Sequence, residues 1–154
     1  MESWLATVGT DRRIELTGPA HTEWLRPEDK YCLAEIDGRG QVFLRPLRNW
    51  AEERSLDEAA ALALIQDPST KRVMPPEIQR EFMAEVSHTR RRGRTSVTLT
   101  IPDTVVFFLF PSGVGPAAPK RKRESMPVLA QRFGDGIYLW GEEGKEQLAD
   151  TSLV

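Results

Sequence analysis

The chain has 154 residues, 40% of them hydrophobic and 29% charged, with a formal net charge of −2. That balance excludes a wholly disordered chain, because enough apolar surface exists to offset the entropy of ordering. A single cysteine, Cys32, excludes a disulfide framework, and no apolar run approaches the roughly 20 residues of a membrane-spanning helix.

Arg13 to Leu16 alternates polar and apolar residues, as a half-buried strand does, and Pro19 punctuates it. Ala20 to Leu25 predicts one or two helical turns, stopped by Pro27. Tyr31 to Ile36 reads as a strand, Asp37-Gly38-Arg39-Gly40 as a tight turn, and Gln41 to Leu44 as the returning strand of a hairpin. Glu52 to Gln66 is rich in alanine and leucine and predicts a helix, with Ser55 or Asp57 as its cap and Asp67-Pro68 as its end. Pro75-Pro76 opens a second helix to about Val86, since Ile78, Phe82 and Val86 recur four apart. Val97 to Ile101 predicts a strand, Pro102 a break, and Asp103 to Phe110 a short apolar helix. Pro111 to Pro127 is rich in proline, glycine and basic residues and reads as a loop. Val128 to Phe133, a Gly-Asp-Gly turn and Ile137 to Trp140 complete a second hairpin.

The order of these features repeats. Leu16-Thr17-Gly18-Pro19 matches Leu99-Thr100-Ile101-Pro102, and Leu33-Ala34 through Gly40 matches Leu129-Ala130 through Gly136. Each copy is strand, short helix, hairpin, and is too small to build a good core alone. Two copies in one chain therefore bury one another, with the intervening helices covering what remains. The expected fold class is α+β.

Charge is unevenly placed. Acid collects in Glu52 to Glu58 and Glu142 to Asp150; base collects in Arg90 to Arg94 and Lys120 to Arg123. A near-neutral chain with tight basic clusters binds a polyanion locally, because local potential dominates at contact. Of 21 basic residues 16 are arginine, the better fork for phosphate and for guanine edges.

The arrangement resembles the MraZ family, whose chain carries two SpoVT/AbrB-like swapped-hairpin units. The resemblance rests on Leu44-Arg45-Pro46-Leu47 followed by Trp50, on Ile78 to Ala84, and on Val128 to Trp140 with its glycine turn and terminal Leu-Trp. It implies two such β units packed as a pseudo-two-fold pair with two linking helices. Unit one then covers 1–50, a helical linker 51–87, and unit two 88–148, with the basic insertion at 111–127. It also implies a cytoplasmic, nucleoid-associated, sequence-specific transcription regulator that binds double-stranded DNA and forms a ring-like homo-oligomer, without a membrane role. The family's units open on an Asp-x-x-x-Arg motif, often with glycine before the arginine. Here the aspartate positions hold Gly9 and Arg90, while Arg13 and Gly93-Arg94 match the arginines.

The DNA-binding candidates are Arg12, Arg13, Arg90, Arg91, Arg92 and Arg94, which lead into the first strand of each unit. Pseudo-symmetry is expected to bring them to one face, where arginine reads phosphate and guanine O6/N7. Lys120, Arg121, Lys122 and Arg123 are auxiliary candidates on a basic arm. The rival is a protein-interaction or assembly module of the same fold that has lost sequence-specific DNA recognition. No cofactor, metal site or catalytic residue is expected. Cys32 lies within a predicted strand, the two histidines are His21 and His88, and the chain lacks Gly-x-Ser-x-Gly and His-x-x-x-His motifs.

Overall fold

Residues that alternate between core and solvent build the strands, and glycine or proline ends them. The computed structural model describes residues 3–37, 40–67 and 82–142. In chain order the strands are β1 (Ser3–Val8), β2 (Arg13–Thr17), β3 (Tyr31–Asp37), β4 (Gln41–Pro46), β5 (Met83–Arg91), β6 (Arg94–Thr100), β7 (Met126–Phe133) and β8 (Gly136–Trp140). The helices are α1 (Pro19–Thr22), α2 (Leu47–Glu53), α3 (Glu58–Gln66) and α4 (Asp103–Leu109).

The strands close into an antiparallel barrel in the order β1-β2-β6-β5-β3-β4-β8-β7, with β7 pairing back to β1. Exchanging β1–β4 with β5–β8, one for one, returns the same ring. Four hairpins lie within halves, and every other junction joins the halves: β1 to β7, β2 to β6, β3 to β5 and β4 to β8. The repeated Leu-Thr pairs meet in that ring, since Leu16 lies opposite Val97 and Ile14 opposite Leu99. All four are buried, and with Val8, Val42, Leu44, Val86, Ile137 and Leu139 they fill the barrel. A second apolar cluster lies outside it, where Leu47, Trp50, Ala51, Ala61 and Ile65 of α2 and α3 cover Leu33 of β3.

Several expectations are corrected. Each half opens on a strand that the sequence reading lacked, β1 and β5. The helix expected to reach Val86 instead gives way to β5 from Met83, within the stretch 51–87 expected to be a helical linker. There Ala84 and Val86 are buried while Glu85 and Ser87 are exposed, a period of two, and β5 pairs with β6 from Glu85 to Arg91. The rest of that helix, 75–81, lies outside the described residues. The helix expected over 52–66 is two helices: α2 starts directly after Pro46, and Ser55 breaks the chain with φ of 56°. Asp57 caps α3, its carboxylate accepting from the Ala60 N–H at 2.7 Å. The insertion 111–127 is a largely exposed loop up to Met126, as expected, but it is anchored by a buried 3-10 turn at Gly115–Ala117, and β7 begins inside it at Met126. Gly115, with φ of 57°, lies directly against the Met126 side chain, so a larger residue there is strained in its backbone and has to displace that side chain.

Candidate nucleic-acid interface

The second half's first hairpin is longer than the barrel needs. β5 and β6 pair with each other from Glu85↔Thr100 out to Arg91↔Arg94. Their neighbours stop earlier: β3 flanks β5 only as far as Glu85, and β2 flanks β6 only as far as Ser96. Arg90, Arg91, Arg94 and Thr95 therefore form a two-stranded ribbon beyond both flanking strands. Its turn is Arg92-Gly93, with φ of 52° and 78°, the pattern that matches the twist of a two-residue hairpin.

Arg90, Arg92 and Arg94 are exposed on this ribbon. Arg90 shares the strand face of Ala84 and Val86, whereas Arg94 points to the opposite face from Val97 and Leu99. Guanidiniums thus emerge on both sides. No aspartate or glutamate occurs from Val86 to Pro102, so nothing in the ribbon neutralises them. Ser87, Thr89, Thr95 and Ser96 add hydroxyl groups along its length. Two strands about 5 Å apart fit a DNA major groove about 12 Å wide.

The root of the ribbon is braced. Asp29, only 1% exposed, accepts both arms of the Arg48 fork, at 3.0 Å from Nε and 3.1 Å from the terminal nitrogen. The same carboxylate accepts the Arg26 N–H at 2.8 Å, and the Asp29 carbonyl lies 2.9 Å from His88 Nε2 on β5. The hydrogen bond to Asp29 raises the Arg48 pKa. Burial pushes the nearby Cys32 thiol well above its ordinary value and also raises Glu58, with the Asp29 charge adding to both shifts.

The other candidate arginines lie elsewhere. Arg12 sits in the β1–β2 turn and ion-pairs with Asp103 at the start of α4, so its side chain is only 19% exposed. Arg13 is exposed beside Asp11, with Nε 3.8 Å from the carboxylate. It pairs with Thr100, six residues along β6 from Arg94, a separation of roughly 20 Å. The expectation that both clusters share one face is therefore corrected. A two-fold between antiparallel β2 and β6 sends their hairpin turns to opposite ends. Lys120, Arg121 and Lys122 are exposed on a second 3-10 turn, while Arg123 folds back, its Nε donating to the Ala118 carbonyl at 3.3 Å. This run leads into β7 where Met126 pairs with Val8, next to the β1–β2 turn and away from the ribbon.

The ribbon's arginines are visible in the sequence as a basic run ahead of a strand, and the structure makes them the end of a hairpin. The signal for a hairpin was present: an Arg-Gly turn flanked by Thr89 and Thr95, in a stretch without acid. Among the described residues no helix is long and apolar enough to cross a membrane, and no group of three metal-ligating side chains forms. No protein-family model, no curated protein and no solved structure matches the chain.

Proposed function

We propose that this chain is a DNA-binding transcriptional regulator of the MraZ type, cytoplasmic and nucleoid-associated, whose β5–β6 ribbon enters the major groove. The flanking of each half's hairpins by strands of the other half supports a SpoVT/AbrB-like swapped-hairpin reading. The observation that carries the function is the acid-free ribbon that outruns both neighbouring strands and bears Arg90, Arg92 and Arg94. In this reading the ribbon makes the primary contact. Arg13 and Lys120 to Lys122 reach phosphates only where the DNA extends to the far end of the barrel. Arg12 serves the turn. The buried thiol of Cys32, held in its protonated form, supports a non-enzymatic role.

Binding of the full chain to fragmented genomic DNA across a salt series, with the bound fragments sequenced, tests this. Affinity falls linearly with log salt, and a short repeated site is enriched. Arg94→Ala lowers the salt slope by about one and relaxes the preference at one position. Absence of binding at low salt rejects the reading.

The rival, an assembly module of the same fold, is favoured by one observation. On the outward face of β7 Phe133 is 50% exposed, beside the partly buried rings of Tyr138 on β8 and Phe43 on β4, an apolar surface that a DNA reader does not need.

A further inference from the structure

The two faces of the β5–β6 ribbon are not equivalent. On one, His88 and Arg90 continue the line of Ala84 and Val86, opposite Val97 and Thr95. The segment after β2 closes over the root of that face. Its Trp24 and Leu25 join the barrel core. The Lys30 carbonyl accepts the Val86 N–H at 2.8 Å, and the Asp29 carbonyl lies 2.9 Å from His88 Nε2. On this face only Arg90 and Thr95, at the tip, are exposed.

The outward face stays open well down the hairpin. Arg94 stands at its tip, followed by Ser96 opposite Thr89 and then by Thr98 opposite Ser87. Arg94 and Ser87 are exposed, and Thr89, Ser96 and Thr98 are half-buried. The Ser96 hydroxyl donates to the Thr89 carbonyl at 3.5 Å, which leaves its lone pairs to accept from a base. Rows on one face recur about every 7 Å, so three rows span about 14 Å, roughly four base-pair steps. Carboxylates follow: Glu15 of β2 lies beside Thr98, and Glu85 lies opposite Thr100, where Arg13 shares the row. Both glutamates are exposed, and they repel phosphate. A duplex on this face therefore fits against the three rows nearest the tip.

We propose that the outward face of the ribbon, not the face over the Asp29 brace, meets the base edges, with Thr89 and Ser96 as specificity-determining residues beside Arg94 and with Glu85 and Glu15 ending the contact. Arg94 takes guanine O6/N7, and each hydroxyl takes a donor or an acceptor on the next base pair. This rests on the DNA reading above and adds which face reads and where reading stops.

Selection of duplexes from a random-sequence pool by the full chain, followed by competition binding to the enriched site, tests this. Thr89→Val keeps the branched shape and loses the hydroxyl, and Ser96→Ala removes the hydroxyl across from it. Each lowers discrimination at one position beside that read by Arg94 by about three- to tenfold and leaves the salt slope unchanged. Thr89→Ser, which keeps the hydroxyl, retains the preference. Thr95→Val, the same chemistry on the covered face, changes no preference. Glu85→Gln raises affinity for all sequences by about two- to fivefold. A Thr89→Val or Ser96→Ala protein that discriminates as the wild type does overturns the assignment, while the DNA reading stands on the enriched site. A preference altered by Thr95→Val overturns the choice of face. Unchanged or lower affinity in Glu85→Gln overturns the boundary. A wild type that enriches no site fails the DNA reading itself, and this inference with it.

Discussion

Arg12 and Gly93 hold the same left-handed backbone position, φ of 66° and 78°, each one residue ahead of an arginine that opens the second strand of a hairpin. The Gly-Arg of the second half is thus matched by Arg-Arg in the first. A side chain in this conformation costs roughly 1 kcal/mol. At Arg12 the ion pair with Asp103 offsets it. Arg12→Ala should lose the pair but keep the strain, lowering stability by about 1 kcal/mol. Arg12→Gly loses both and should fall within about 0.5 kcal/mol of wild type. Urea denaturation of the two variants checks the order. An Arg12→Ala variant as stable as Arg12→Gly would deny the backbone strain.

Asp29 holds the ribbon's root through a buried fork, so its loss leaves the Arg48 charge without its carboxylate, with only the Asn49 amide oxygen still accepting from it. Asp29→Ala should cost about 3 kcal/mol, far more than an exposed pair. Hydrogen exchange should then quicken at His88 and Thr89, which stand above the brace, before it does in β7.

Cys32 couples stability to alkaline pH. Burial and the Asp29 charge raise its folded-state pKa, so the folded thiol stays protonated where the unfolded one ionises. The unfolded chain then binds fewer protons, and stability falls as pH rises past about 8.5. Cys32→Ala should flatten that decline while lowering stability at neutral pH. Native protein should react with a thiol reagent at pH 8 only as fast as it opens. Rapid labelling without unfolding would revive a reactive-cysteine reading.

Gly136 opens β8 beneath the Phe43 ring. A Cβ there would collide with the Leu44 carbonyl oxygen and come 2.9 Å from Phe43 Cζ. Both neighbours are fixed in the β4–β8 ladder, so Gly136→Ala should cost about 2–3 kcal/mol. Thermal melting checks this against Gly134→Ala, where no atom crowds the added carbon and only the left-handed backbone is strained.

The repeat was legible because its hairpins announce themselves. Leu33-Ala34 and Leu129-Ala130 each precede a glycine turn and an apolar return strand, and both pairs of strands form. The opening strands were not legible. In β1, Trp4-Leu5-Ala6 runs apolar through both faces because Leu5 lies on the outward surface, so no alternation shows. At the start of β5, Phe82 just before the strand and Val86 within it fall at a helical spacing by accident, while Ala84, the small residue between them, carries the true period. The candidate arginines were visible as residues but not as a place. Only the antiparallel register of β2 on β6 sends Arg13 to one end and Arg94 to the other. Asp103, which ties up Arg12, lies 91 residues away along the chain and leaves no local signal.

The way the halves interleave has a consequence during synthesis. Ser3 finds its strand neighbour at Gln131, 128 residues downstream, so the first strand leaves the ribosome long before its partner exists. No junction between the halves can close until β5 has emerged, and the barrel shuts only with the last hairpin. Loop-closure entropy is met late, which slows folding and exposes the early strands to other chains. A nascent chain stalled after α3 would hold two hairpins with unpaired edges, a state for chaperones to guard rather than a small folded unit.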